Sequence, residues 1–313
     1  MSSPASARRP TDVDLSVRIG TLLLSNPVIA ASGTFGYGIE FSHLVDLNSL
    51  GGIVVKGLSA QPLTGAPVPR LCETTGGMLN AVGLQNIGVH AFVAEKLPVL
   101  RKYRTAIIAN VFGYTIDEYV EVIHVLEDAE GVAGYELNIS CPNVDQGGSE
   151  FGVDPLLTSQ VVTAARRAAV KRPLWVKLAP NADVKATARA AEAAGADALT
   201  VANTYPAMAL DPATGSSKLG RLTGGLSGPA IKPLTVRLVY DVSRTVGIPV
   251  IGLGGIESLD DVLEYFRAGA TAIQIGTAHF ADPRASERVV EELWHHCESL
   301  TINNINQLRE VSK

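Results

Sequence analysis

A cysteine in a polar setting is the first feature of this sequence that could do chemistry. The segment YELNISCPN, residues 135–143, runs from apolar residues into Cys141, which precedes Pro142 and has Asn138 and Asn143 on either side. A thiol has a reference pKa of about 8.5, so neighbours that lower this pKa would make it a usable base near neutral pH. Asparagine amides both donate and accept hydrogen bonds. The segment therefore indicates a base beside amides that can hold a substrate.

A buried, inert thiol is the competing interpretation, because free cysteine is among the most buried residue types. We give that interpretation to Cys72 and Cys297. Cys141 differs, since it lies past the last apolar residue of its run and begins a glycine-bearing segment, NVDQGGSEFG, that could act as a lid. We therefore predict that Cys141 is a reagent.

Polar or glycine residues end all eight of the short apolar runs in the chain. In chain order they are Ser32, Lys56, Asn110, Asn138 with Cys141, Lys177, Asn203 with Thr204, Gly254–Gly255 and Gly276–Thr277. Any one of them has a structural explanation, such as a helix cap, a turn or a lysine that reaches solvent. Convergence of all of them on one rim favours a functional site.

Two lysines in this set, Lys56 and Lys177, suggest either a Schiff-base enzyme or cationic contacts to an anionic cofactor. The several asparagines suit a flat heterocycle with alternating N–H and C=O groups. The stretches GLGGI and QIGTA, together with GGLSG at 224–228, are typical of the phosphate site that many barrels form after strands seven and eight. These residues predict a phosphorylated ligand.

The apolar runs must position these residues. They lack alternation, as parallel strands buried on both faces do, and helical segments separate most of them. They span residues 27–31, 51–57, 105–111, 134–140, 173–180, 196–203, 248–255 and 271–277. The order predicts a (β/α)8 TIM barrel. An open doubly wound sheet is less favoured, because the sequence lacks the G-x-G-x-x-G turn that is typical of that fold. Insertions at 58–104 and 204–247 are expected at the C-terminal face, where barrel enzymes place their chemistry.

Composition narrows the class of protein. The 313 residues carry a formal net charge of -5, which gives no general basic field for nucleic acid. Three cysteines without CxxC pairing favour a reducing cytoplasm, and no histidine pair at metal spacing predicts a metal site. No apolar signal region or membrane span is found. We expect a loose tail over residues 1–10 and one domain over 11–313.

Several stretches together resemble the class 1 dihydroorotate dehydrogenases, and most of all the class 1B catalytic subunits. They are SNPVIAASGTFGYG at 25–38, VVKG at 54–57, NAVGLQN at 80–86, ANVFG at 109–113, ELNISCPNVDQGG at 136–148, VKLAPN at 176–181, VANT at 201–204, GGLSGPAIKP at 224–233, GLGGI at 252–256 and IGT at 275–277. These stretches span nearly the whole chain.

The resemblance implies an FMN-containing barrel that oxidises (S)-dihydroorotate to orotate in pyrimidine synthesis. It assigns Cys141 as the base for the C5 proton, with hydride passing from C6 to flavin N5. The implied substrate-binding residues are Lys56, Asn80, Gly83, Leu84, Asn138, Asn143, Asn203 and Thr204. The implied FMN-binding residues are Ala31, Ser32, Lys56, Asn110, Asn138 and Lys177, with the phosphate at Gly228, Gly254, Gly255, Gly276 and Thr277.

The resemblance also implies partners. Class 1B enzymes pair the FMN subunit with one that carries FAD and a [2Fe–2S] cluster and passes electrons to NAD, so we expect a homodimer within a heterotetramer. The open alternatives are a class 1A enzyme that uses fumarate, a related FMN dihydropyrimidine oxidoreductase, a Schiff-base lyase with Lys56 or Lys177 as nucleophile, and a ligand-binding barrel without activity.

Overall fold

The computed structural model describes residues 13–139 and 148–310. Its strands are β1 (Val17–Ile19), β2 (Leu22–Leu24), β3 (Val28–Ala30), β4 (Gly52–Val54), β5 (Leu71–Thr74), β6 (Gly77–Asn80), β7 (Ala106–Val111), β8 (Gly134–Asn138), β9 (Leu174–Lys177), β10 (Ala198–Val201), β11 (Tyr205–Ala207), β12 (Gly224–Ser227), β13 (Val250–Leu253) and β14 (Ala272–Ile275). The expected tail and the domain boundaries stay predictions.

The helices are α1 (Val89–Ala91), α2 (Leu97–Leu100), α3 (Ile116–Glu127), α4 (Gly148–Val153), α5 (Pro155–Ala168), α6 (Val184–Ala193), α7 (Lys232–Ser243), α8 (Leu259–Ala268), α9 (Ala278–Ala281), α10 (Ala285–Ser299) and α11 (Asn306–Glu310). Their ends follow local sequence. Thr115 and Glu118 form a capping box at the start of α3. Helix α8 starts with a similar box at Ser258 and ends at Gly269, whose backbone is left-handed.

Eight parallel strands close into a barrel in the order β10-β13-β14-β3-β4-β7-β8-β9. Each of them lies within one of the eight predicted apolar runs, so the predicted TIM barrel is confirmed. The strands are buried on both faces, as their continuous apolar sequences indicate; β13, for example, is buried at every residue. Since all eight run the same way, their C-terminal ends meet at one face.

The first repeat departs from the expected βα order. Between β3 and β4 the chain forms only two short 3₁₀ helices, Ile39–Phe41 and Leu47–Ser49. The segment SGTFGYG begins this connection, and Gly33, Gly36 and Gly38 all have positive φ angles. Left-handed glycines interrupt a helix, so this connection cannot continue as one.

The two long insertions pair with each other, which the sequence did not indicate. Strands β5 and β6 come from the first insertion, β11 and β12 from the second, and together they form an antiparallel sheet in the order β11-β12-β6-β5. In its centre Gly225 pairs with Asn80. Leu79, Ala81 and Leu219 form a small core of their own beside this sheet. The expected location at the C-terminal face is confirmed, because both insertions follow barrel strands.

Within the described ranges, no helix has both the length and the apolar character needed to cross a bilayer.

Candidate active site

A cleft opens at the C-terminal face of the barrel, partly to solvent. Every predicted site residue that the structure describes lines it, so the expected convergence on one rim is confirmed. These residues are Ala31, Ser32, Lys56, Asn80, Gly83, Leu84, Asn110, Asn138, Lys177, Asn203, Thr204, Gly228, Gly254, Gly255, Gly276 and Thr277. The predicted base Cys141 and the predicted substrate ligand Asn143 lie outside the described residues.

Two lysines bring positive charge to the cleft without an acidic partner. Lys177 ends β9, is only 5% exposed, and its Nζ donates to Ser32 Oγ at 3.3 Å. Burial lowers the pKa of Lys56, and the nearby Arg70 charge lowers it further. Among the described residues, no carboxylate lies within 4 Å of either ammonium group. Buried charges are normally paired, so both lysines indicate an anionic or electron-rich ligand.

Three asparagines share the same wall of the cleft. Asn203 Nδ2 donates to Asn138 Oδ1 at 3.2 Å, and the backbone N–H of Thr204 donates to Asn203 Oδ1 at 2.8 Å. Asn80 Nδ2 donates to the carbonyl of Gly225 at 3.1 Å, which links the antiparallel sheet to the cleft. These bonds fix the amide orientations while leaving further donors and acceptors for a heterocycle.

The loop after β6 brings its backbone to the cleft. Gly83 and Leu84 both have positive φ angles, 70° and 58°. A Cβ on Gly83 would lie 2.4 Å from the backbone nitrogen of Ala66, so only glycine fits there. Leucine rarely adopts this conformation, and such strained residues cluster at ligand sites. The loop therefore agrees with a backbone contact to substrate.

Three glycine-containing loops meet at one end of the cleft. Gly228 and Gly255 have left-handed backbones, and a Cβ on Gly255 would lie 2.8 Å from the Gly228 carbonyl oxygen. None of the described residues accepts a hydrogen bond from the backbone N–H groups of Gly255, Gly276 or Thr277. Free N–H groups on glycine loops form concave anion sites.

These features together test whether the cleft fits FMN. It offers backbone N–H donors for a phosphate at the glycine loops, unpaired lysine ammonium groups, and the amides of Asn110 and Asn138 for a ring system. The residues present fit the flavin nucleotide.

Sequence reasoning missed several residues that line the cleft. They are Gly33, Thr34, Gly57, Leu71, Met78, Val82, Gln85, Ala202, Ser227, Ile231, Leu253 and Phe280. Leu71, Met78 and Ser227 arrive with the antiparallel sheet, whose long-range pairing no local pattern reveals. The prediction that Cys297 is inert packing agrees with the structure, because it is fully buried and burial raises its pKa to about 11.

Comparison with known proteins identifies the family. A family model described as dihydroorotate dehydrogenase matches residues 14–296. The chain is 55% identical over 283 residues to the dihydroorotate dehydrogenase B (NAD(+)) catalytic subunit of Trichlorobacter lovleyi, covering 90% of this chain and 93% of the relative. It is 58% identical over 280 residues to a protein of Solibacter usitatus named putative dihydroorotate dehydrogenase A (fumarate), covering 89% and 92%.

A solved structure agrees in fold. The dihydroorotate dehydrogenase of Eimeria tenella in complex with ferulenol superposes with a TM-score of 0.80 at 23% identity, over 98% of this chain and 90% of that one. The resemblance to class 1B catalytic subunits agrees with the relatives that bear that name, including one from Pelobacter propionicus that is 51% identical over 94% of this chain and 97% of its own length. This chain belongs to the dihydroorotate dehydrogenase family.

Proposed function

We propose that this chain is the FMN-binding catalytic subunit of a class 1B dihydroorotate dehydrogenase, which oxidises (S)-dihydroorotate to orotate for pyrimidine synthesis. One observation carries the proposal: Lys56 and Lys177, both without a carboxylate partner in the described part of the chain, face a cleft lined with asparagine amides. A Schiff-base lyase would not require those amides or the free N–H groups of the glycine loops.

Each side chain has a task in this reaction. Lys56, whose pKa is lowered by burial, regains a counter-charge when the substrate carboxylate binds. The amides of Asn80, Asn138 and Asn203 hold the ring N–H and C=O groups in one orientation, which lowers the entropy cost of reaching the transition state. Lys177 stabilises negative charge that develops on the ring system beside it. The chemistry that bound FMN would supply is that of a hydride acceptor for C6.

Cys141 is assigned the proton transfer. Oxidation requires removal of the C5 proton, and a thiolate in the segment after β8 is the base that the sequence offers. Asn143 is assigned a further contact to the ring. Both roles come from the family resemblance, since both residues lie outside the described ones.

The names of the relatives support NAD as the electron acceptor. Relatives from Trichlorobacter lovleyi and Pelobacter propionicus are named as NAD(+)-linked catalytic subunits. We propose that this chain forms a cytoplasmic homodimer and passes electrons to NAD through a partner subunit that carries FAD and a [2Fe–2S] cluster. The name of the Solibacter usitatus relative favours fumarate as the second candidate.

Steady-state assays separate these acceptors. The FMN-loaded chain alone should form orotate with an artificial dye but not with NAD, and co-expression with an FAD/iron–sulfur subunit should confer NAD reduction. Rapid turnover of the isolated chain with fumarate would instead assign class 1A. Failure to form orotate with any acceptor would contradict the proposed function.

A further inference from the structure

A buried carboxyl group lies in the barrel interior, one layer below the cleft. Glu136 is in the middle of β8 and is fully buried. Its Oε1 accepts a hydrogen bond from Asn110 Nδ2 at 2.8 Å, and its Oε2 accepts from Thr200 Oγ1 at 2.8 Å and from Gln274 Nε2 at 2.6 Å. No lysine or arginine within the described ranges lies within 4 Å of it.

These partners come from three other strands, β7, β10 and β14, so the carboxyl group connects opposite sides of the barrel. All three present a donor to it. The orientation of Gln274 leaves its Oε1 without a partner among the described residues, although this atom is buried. A buried acceptor without a donor, such as Gln274 Oε1, costs free energy. Gln274 nevertheless turns its NH₂ group to Glu136, which indicates that the Glu136 carboxylate determines how the surrounding groups are oriented.

Asn110 is the member of this network that lines the cleft. Its Nδ2 faces Glu136, and its Oδ1 lies on the side of Gly57, where an added Cβ would be 3.0 Å from it. An amide can present either its oxygen or its NH₂ group, and only its partners decide which. Without Glu136, both orientations of the Asn110 amide become available.

We propose that Glu136 is a positioning residue for the cofactor: by accepting from Asn110 Nδ2, it holds the Asn110 amide in the single orientation that binds the flavin ring. This inference rests on the proposed function, since it assumes that FMN occupies the cleft. Glu136 itself does not line the cleft. The glutamate in the middle of β8 is thereby explained as a determinant of cofactor affinity.

A double-mutant cycle on FMN affinity tests this role. The Kd of the apo-protein for FMN is measured by flavin fluorescence quenching for the wild type, Glu136→Gln, Asn110→Ala and the double variant. Glu136→Gln should raise the Kd about tenfold in the wild-type background, because a glutamine offers one acceptor oxygen to three donors and no longer fixes the Asn110 amide. In the Asn110→Ala background the same change should alter the Kd less than about twofold.

The control is Glu127→Gln, another buried carboxyl group, which bonds Tyr135 outside the site and should leave the Kd unchanged. An equal effect of Glu136→Gln in both backgrounds, or none in the wild type, would overturn the positioning role while leaving the proposed function intact. A wild-type chain that binds no FMN would overturn both.

If Glu136→Gln alone does not fold, a second experiment exchanges the two side chains, with Asp at position 110 and Gln at position 136. Asn110→Asp alone should abolish FMN binding, because two carboxyl groups then face each other, and adding Glu136→Gln should restore part of it by reversing donor and acceptor. Absence of any recovery in a folded double variant would overturn the inference.

Discussion

Lysines in two neighbouring regions of this molecule have opposite surroundings. Lys232, at the start of α7 behind the glycine loops, contacts Asp261 at 2.6 Å and Glu264 at 2.8 Å. Its Nζ donates hydrogen bonds to these carboxylates, which raise its pKa above the ordinary value. Lys177 and Lys56 line the cleft and have no such partner among the described residues, and the pKa of Lys56 is lowered. One region satisfies its charges internally, and the other leaves them for a ligand.

The presence or absence of an acidic partner distinguishes structural lysines from ligand-binding ones, which residue type alone cannot do. The paired Lys232 joins helices α7 and α8 and so contributes to the stability of the fold. A lysine at a buried position without an acidic partner lowers stability. It is retained where a bound ligand offsets the free-energy cost of desolvating the ammonium group. The free N–H groups of Gly255, Gly276 and Thr277 follow the same logic, since they too find no acceptor in the described part of the chain.

The largest expected effect comes from Cys141, the proposed base, and it separates the chemical step from FMN binding. Cys141→Ala should bind FMN normally but slow flavin reduction by dihydroorotate about 10²–10⁴-fold, because a positioned base contributes that factor. Cys141→Ser should keep a low residual activity whose pH profile is shifted to higher pH, since a hydroxyl is a poorer base than a thiolate. Single-turnover absorbance measures both. Reduction at the full rate in the alanine variant would refute the assignment of the base.

His279 is a buried basic side chain, like Lys177, and its burial predicts that stability depends on pH. His279 contacts Ser286, and burial lowers its pKa from 6.5 to about 4. As the pH falls, the unfolded chain therefore takes up the proton first, so the free energy of unfolding decreases between about pH 6.5 and 4 and this loss ends below pH 4. The contribution should be about 3 kcal/mol. Urea denaturation at several pH values should show it in the wild type and not in His279→Gln, and equal slopes would count against it.

One lysine from each of the two regions, Lys177 in the cleft and Lys232 in the ion-paired region, can be replaced by alanine. Lys177→Ala should weaken FMN retention and lower the flavin reduction potential by about 30 mV or more, because the cation favours the reduced anionic form. Lys232→Ala is the matched control, and it should lower thermal stability without changing the potential. A redox titration decides between them, and an unchanged potential in flavin-loaded Lys177→Ala would make Lys177 a structural residue.

The smallest expected effect concerns the glycine loops. Gly255→Ala should cost about 1–2 kcal/mol from its left-handed backbone and should also weaken FMN binding, since its Cβ would meet the Gly228 carbonyl. Gly215 has a φ of 70° and open space around it, so Gly215→Ala should show the strain alone. Calorimetry and FMN titration of both variants check this. Equal FMN affinity in the two would remove the glycine loops from the site.

Much of this site could be predicted from sequence because barrel strands are continuous apolar runs and the polar residues that end them must converge. The antiparallel sheet could not be, since β6 and β12 are short, glycine-rich and far apart in sequence, and only their pairing brings Asn80 beside Gly225. The role of Glu136 was hidden for a similar reason: its partners lie on strands that become neighbours only when the barrel closes.

The central claim, that this cleft transfers hydride from dihydroorotate to FMN, is tested most directly by anaerobic titration of the FMN-loaded chain with (S)-dihydroorotate. The account predicts that the absorbance of oxidised flavin is lost with one orotate formed per FMN, and that Cys141→Ala shows the same FMN content without this loss on the same timescale. Flavin that stays oxidised in the wild type after excess dihydroorotate would contradict the claim.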